Sequence, residues 1–323
     1  MAVARSWRQP PADGPHPVRP ADIPGLNAVF SEAFTERYRR DGMVGVRVPL
    51  LSSAIWRYAI EDAGGGAMLW RGQRDEVIAF NVAHRSGVEG WMGPLAVTPE
   101  AQGAGLGKEI VREGIDWLRK DGARIIGLET MPRTMDNIGF YARLGFIPSR
   151  LTVTLTLDAA HSDRPAESFA RLSQRARDDA LGECHTLASS LLPGYDFTRE
   201  IVITEDLTLG DTLLLRRGDD LVGFALCHTA PLVEGRAREE LRVLKFVLRD
   251  LADAEPMARA LCDHARRSGC QRVAFRVQGD YPAFFSKLVA MRARVRWSDL
   301  RMAVAGHEEP IAARGVVLSN WEI

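Results

Sequence analysis

The sequence predicts a mixed α/β protein (α+β in layout) built from two tandem copies of one unit, each a mixed sheet flanked by helices. Three observations lead there. A strand-like apolar run at residues 93–97 feeds a glycine-rich loop and then an amphipathic helical run over residues 108–119. A hairpin pattern from the first half of the chain recurs in the second. The 323 residues, 46% of them apolar, exceed one typical domain of about 100 to 200 residues, so two cores are expected.

Residues 1–17 are proline-rich and poor in apolar side chains, and read as a mobile tail. The first unit then runs over residues 18–158. Ile23, Leu26, Val29, Phe30 and Phe34 recur at helical spacing behind Asp22, a plausible cap. The Gly64, Gly65, Gly66 triplet breaks the chain before two short apolar runs, residues 67–70 and 77–84, joined by a polar turn, which is a hairpin signal. A strand at 91–97, the glycine loop, a helix to about residue 120, a strand at 124–130, a helix containing 136–144 and a final strand pair within 146–157 complete the unit. Residues 159–168 are polar and contain a proline, and read as a linker.

Residues 169–323 repeat this order. The runs 213–216 and 221–228 echo the first hairpin, with Phe224 matching Phe80 and His228 matching His84. Phe285-Ser286-Lys287-Leu288 then echoes Tyr141-Ala142-Arg143-Leu144 at the same offset.

Lys plus Arg equals Asp plus Glu at 42 each, so no general attraction to nucleic acid or an anionic membrane follows. The first residues lack the apolar core of a secretory signal and no run approaches a membrane span, so the chain is expected in the cytoplasm. Cys184, Cys227, Cys262 and Cys270 have no metal-binding spacing and read as isolated thiols, and no metal is expected.

The chemistry concentrates in Gln102-Gly103-Ala104-Gly105-Leu106-Gly107. A glycine-rich loop opening a helix offers unblocked backbone N–H groups and the positive end of the helix dipole to an anion, as a pyrophosphate requires. Lys108 adds a positive charge beside it. With the preceding strand, this segment resembles the GNAT superfamily of acyl-CoA-dependent N-acetyltransferases, whose hallmark is Q/R-x-x-G-x-G/A between strand and helix. Tyr141-Ala142-Arg143-Leu144-Gly145-Phe146 is similar to the Y-x-x-x-G-F of the same family. The resemblance covers residues 17 to about 158; the second half resembles the family only in its order of strands.

The resemblance implies two GNAT-like domains, each a mostly antiparallel twisted sheet, with acetyl-CoA as co-substrate and a small-molecule or peptide amine as acceptor. Leu95, Ala96 and Val97 would pair with the pantetheine arm, an N–H near Val97 would polarise the acetyl carbonyl, and residues 102–108 would hold the pyrophosphate. Tyr141 would protonate the departing thiolate. Glu129 and Glu89 are the leading candidates for a general base, with His84 behind them. Trp56, Tyr58, Trp91 and Met92 are candidates for an acceptor pocket, although apolar residues so spaced are more often core. The family usually has an asparagine seven residues before the tyrosine; here Thr134 stands there and Asn137 follows one turn later, so Asn137 is the candidate cofactor contact.

The second copy has lost these features. Its strand at 241–248 leads into Arg249-Asp250-Leu251-Ala252-Asp253-Ala254-Glu255-Pro256, which has carboxylates and no glycine, and Phe285 replaces Tyr141. The expectation is one active site in the first copy and a degenerate second copy walling the acceptor cleft, in a monomer that behaves as a pseudo-dimer or in a homodimer. A non-catalytic acyl-CoA-binding regulator is the competing reading.

Overall fold

A computed structural model describes residues 12–322. In chain order the first half contains β1 (Asp13–Pro17), α1 (Ile23–Arg40), α2 (Ser53–Ala63), the hairpin β2 (Ala67–Arg71) and β3 (Val77–Ser86), β4 (Glu89–Val97), α3 (Leu106–Lys120), β5 (Ile125–Thr130), α4 (Met135–Ala142) and β6 (Phe146–Asp158). The second half contains β7 (Glu167–Ser168), α5 (Gln174–Leu191), α6 (Thr198–Asp206), β8 (Gly210–Arg217), β9 (Asp220–His228), β10 (Glu240–Leu248), α7 (Ala254–Arg267), β11 (Arg272–Gln278), α8 (Pro282–Ala290), β12 (Arg294–Val304) and β13 (Val316–Ser319).

The two hairpins, β2–β3 and β8–β9, are antiparallel as their alternating patterns predict. Three expectations change. Residues 13–17 form β1, which pairs antiparallel with β2 through His16 opposite Leu69 and Pro17 opposite Met68; residues 1–11 of the expected tail lie outside the described residues. Glu167 and Ser168, placed in the linker, form β7 against Leu214 and Leu213 of β8. The strand pair expected within 146–157 is one long strand, β6, whose partners both come from the second half.

That exchange makes one continuous sheet of the described strands, in the order β1-β2-β3-β4-β5-β12-β6-β11-β10-β9-β8-β7. β12 inserts between β5 and β6 and runs antiparallel to both, while β6 pairs on its other edge with β11 along its C-terminal half. Each half therefore completes the other's sheet.

Alternation along the strands assigns the two faces. In β2 and β3, Leu69, Phe80 and Val82 face a core shared by both halves, where Leu26 of α1 and Trp56 of α2 join Leu187 of α5 and Phe224 of β9. Their neighbours Met68, Trp70, Ala79 and Ala83 face the other way, toward Ile110, Val111 and Leu118 of α3. The corresponding face of the second half packs under Met257 and Leu261 of α7 and Phe284 and Leu288 of α8.

α3 is pinned closely. Its apolar positions Leu106, Ile110, Val111, Ile115 and Leu118 follow helical spacing and are buried. Gly114 sits where a Cβ would come within 2.3 Å of the Asn81 amide and 2.5 Å of the Met92 sulfur, so only glycine lets the helix approach β3 and β4 this closely. The Asn81 amide in turn donates to the Ile110 carbonyl at 2.8 Å.

Candidate functional site

β4 changes partners halfway along. Its first residues run parallel to β5, from Glu89 opposite Ile125 to Met92 opposite Leu128, and the pairing ends there. On the other edge, Leu95, Ala96 and Val97 remain paired with β3. The stretch from Gly93 to Val97 therefore has one edge free, and that edge opens on a cleft of about 740 Å³.

At one end of the cleft, β4 runs into the glycine loop. Gly103 and Gly105 have φ of +84° and +96°, values that favour glycine, and a Cβ built on either would meet nothing within 4 Å. The N–H groups of Gly103, Ala104 and Gly105 donate to no acceptor among the described residues, and Gly105 is the N-cap of α3. Gln102 braces the turn: its side-chain amide donates to the Val97 carbonyl at 3.0 Å and its side-chain oxygen accepts from Arg40 at 3.2 Å. Arg37, Arg40 and Lys108 line this end. Arg37 is held by Asp41 and Asp136 and Arg40 by Glu36, so the helix N-terminus with its unused N–H groups, its open approach and Lys108 are what suit a diphosphate such as that of coenzyme A.

Of the residues expected to bind cofactor, Leu95, Ala96, Val97, Gln102, Gly103, Gly105, Gly107, Lys108 and Asn137 line the cleft. Leu106 turns into the core beneath α3, and Ala104 is exposed outside the lining. Thr134, in the position the family usually gives to asparagine, is fully buried and donates to Asp41 at 2.7 Å, which ties the loop before α4 to the end of α1.

Tyr141 lies on α4 and lines the cleft with its ring nearly buried against Phe140 and Phe146, at centroid separations of 5.2 and 5.8 Å. Burial pushes its phenol pKa well above the ordinary value. It stays protonated at neutral pH, as a proton donor must.

The far end of the cleft is acidic. Glu129, at the end of β5, lies beside Asp299 of β12 and Glu322, which follows β13. One buried guanidinium, Arg276 of β11, serves all three: it donates to Glu129, to Asp299 at 3.1 Å, and pairs with Glu322 at 2.9 Å. Arg301 of β12 also donates to Glu129, at 2.7 Å, and to Glu309 at 2.7 Å. Although Glu129 is desolvated, Arg276 and Arg301 hold its pKa down to about 2. Desolvation and the like charges of Asp299 and Glu129 instead raise Glu322 to about 7 against the pull of Arg276. Trp297, 40% exposed, and Tyr38 of α1 complete this wall.

The other candidates sit elsewhere. Glu89 is fully buried outside the cleft lining, accepting from Trp321 at 2.9 Å and Ser319 at 2.6 Å, with Lys245 3.8 Å away. Those bonds tie the chain after β13 to the start of β4. His84 is also fully buried: one ring nitrogen meets Asp62 at 2.6 Å, the other the Gly93 carbonyl at 3.1 Å, and the ring stacks on Trp91 at 4.0 Å. Trp56, Tyr58 and Trp91 belong to the core, and of the proposed pocket residues only Met92 reaches the cleft. Trp297, Asp299 and Glu322 escaped the sequence reading because nothing local marks them. They reach the site through the insertion of β12 and the pairing of β13.

The second half shows the complementary arrangement. β10 pairs with β11 only from Glu240 to Arg242 and then diverges, as β4 diverges from β5. Here the vacated edge is taken by β13, with Lys245 opposite Ser319, Phe246 opposite Leu318, Val247 opposite Val317 and Leu248 opposite Val316. The slot that is open in the first half is closed by the chain itself in the second.

Residues 29–146 match the model of the Acetyltransferase (GNAT) family. A search of the curated proteins finds no match. Among solved structures, a Pyrococcus horikoshii protein assigned as an acetyltransferase is 14% identical with a TM-score of 0.66, covering 95% of this chain and 94% of its own. A tandem GNAT protein from the clavulanic acid biosynthesis pathway is 11% identical with a TM-score of 0.57, covering 88% and 94%. The Saccharomyces cerevisiae N-myristoyltransferase, solved with myristoyl-CoA, is 11% identical with a TM-score of 0.61, covering 93% and 81%. At these identities the likeness is one of fold. The family match, the free edge of β4 and the glycine loop coincide in one place: residues 29–146 are similar to the acetyltransferase (GNAT) family, within an overall fold similar to that of a tandem GNAT protein.

Proposed function

We propose that the protein is an acetyl-CoA-dependent N-acetyltransferase that acetylates a primary amine by direct attack within a ternary complex, using the first-half cleft as its single active site. The observation that carries this reading is the free edge from Gly93 to Val97 running straight into the unblocked N–H groups of the glycine loop. An extended pantetheine arm with its amide groups can add to that edge as a strand would, which places a diphosphate at the start of α3 and a thioester toward Tyr141.

An N–H of the β4 edge near Val97 then stabilises the oxyanion formed as the amine attacks, and Tyr141 gives its proton to the departing thiolate. The second half walls the acceptor end through β12 and the residues after β13. Its own slot, filled by β13, takes no acyl-CoA.

The test is calorimetric titration with acetyl-CoA, together with thiol release across a panel of small amines and peptides. The expected result is one acetyl-CoA bound per chain and amine-dependent thiol release. Tight binding with no turnover across the panel would favour a regulator instead, and absence of binding would sink both readings.

A further inference from the structure

The acidic end of the cleft is a joint construction of both halves. Glu129 comes from the first half, whereas Asp299 and Glu322 come from the second. All three line the cleft, and the cation they share, Arg276, is only 8% exposed behind them. Glu129 is fully engaged by Arg276, Arg301 and Thr152. Asp299 accepts from Arg276 and from the Trp297 indole N–H, both at 3.1 Å, and Glu322 pairs with Arg276 and lies near the buried Arg242; the guanidiniums stand behind the carboxylates, so a negatively charged face meets the cleft beside the indole of Trp297.

Building on the acetyltransferase reading, we propose that the acceptor is a cationic primary amine on an apolar or aromatic stem, that its ammonium docks between Asp299 and Glu322, and that Glu322 removes its proton before attack. The indole of Trp297 offers a face for the stem. Half of the Glu322 side chain is open to the cleft, so it is accessible to substrate and to the water that carries its proton away. The groups facing it are Arg276 on β11, Arg242 on β10, Asp299 on β12, Glu129 on β5 and Tyr38 on α1. Asp299 and Glu129 push its pKa up and Arg276 and Arg242 pull it down, and the balance lies above the ordinary carboxylate value, toward the range where a carboxylate can accept a proton and release it again.

The proton balance closes. The ammonium loses one proton to Glu322, which passes it to solvent. The neutral amine forms the N–C bond, the C–S bond breaks with its electron pair going to sulfur, and Tyr141 protonates the thiolate. The remaining excess proton on nitrogen restores the Tyr141 phenol, so the products are an acetamide, free coenzyme A and one proton in solution.

The test uses the full chain with 2-phenylethylamine as the cationic probe and phenylacetate as its anionic counterpart. For the wild type, kcat/KM with 2-phenylethylamine should rise with pH through a limb near 7. Glu322→Gln should lower kcat by about 10²- to 10⁴-fold and move that limb up toward the amine's own titration, with unchanged acetyl-CoA affinity. Asp299→Asn should raise KM for the amine more than it lowers kcat. Turnover by the wild type with the same pH profile in Glu322→Gln would overturn the role of Glu322. Calorimetry of the two probes decides the acceptor class independently of turnover: the amine should bind and weaken at least tenfold in Asp299→Asn, and tighter binding of phenylacetate would overturn the proposal. Failure of the wild type to bind acetyl-CoA would instead count against the acetyltransferase reading itself.

Discussion

Burial pushes the pKa of both Tyr141 and Glu129 upward, yet their net shifts are opposite, and the difference lies in what each finds around it. Tyr141 has only apolar neighbours to offset desolvation, so its phenol stays protonated and can serve as a donor. Tyr141→Phe should therefore lower kcat by about 10²-fold or more while acetyl-CoA affinity hardly moves, measured by steady-state kinetics beside calorimetry. Glu129 is desolvated too, but two guanidiniums and the Thr152 hydroxyl hold it ionised, with its pKa lowered from 4.5 to about 2. A depressed folded-state pKa means that its contribution to stability is present above about 4.5 and is lost as pH falls through about 2. Glu129→Gln should cost about 3–5 kcal/mol at neutral pH by leaving Arg276 and Arg301 short of a counter-charge, and should flatten the acid limb of a melting-temperature profile. The sequence placed Glu129 at a strand end beside the cleft; it could not reveal that Arg276, Arg301 and Thr152 would converge on it from β11, β12 and β6.

The strand-loop-helix unit β4–α3 was the most legible element, because each part obeys a local rule: an apolar strand, glycines at positive φ, and a helical apolar stripe. Gly105→Ala should strain a backbone at φ +96° by roughly 1–2 kcal/mol and weaken acetyl-CoA binding, read by calorimetry. Gly114→Ala tests packing instead of binding. Its Cβ would collide with Asn81 and Met92, so thermal melts should show a loss of about 1–3 kcal/mol. The long strand β6 was less legible: its alternation gave strand but named no partner, and the turn assumed within residues 146–157 does not form. The departure of the second half from the first-half motifs was visible in its missing glycines and in Phe285. The physical closure of its slot was not, since β13 lies some seventy residues beyond the edge it covers, at Lys245 opposite Ser319.

In the molecule as a whole, the exchange of strands makes the halves mutually dependent. Without β12, β5 and one edge of β6 would expose unpaired backbone; without β6, so would β11 and β12. Residues 1–158 expressed alone should therefore aggregate, whereas coexpression with residues 159–323 should yield a soluble complex by size-exclusion chromatography. Independent folding of the first half would show that the exchange adds little. The shared core beneath α1, α2, α5 and α6 predicts the same cooperativity, a single melting transition for the intact chain.

Local chemistry in the chain was enough to specify the mixed α/β architecture, the family resemblance of the first half, the glycine loop at the start of α3, Tyr141 on α4 and the absence of the glycine motif from the second half, because glycine conformation, periodicity and short motifs act over a few residues. Folding alone decided what completes the cleft. Trp297, Asp299 and Glu322 belong to the second half, and the backbone pairing of β12 and β13 carries them to the first. Strand pairing joins residues by hydrogen bonds that no local pattern encodes, so the acidic wall of the cleft became visible only once the strands had found their partners.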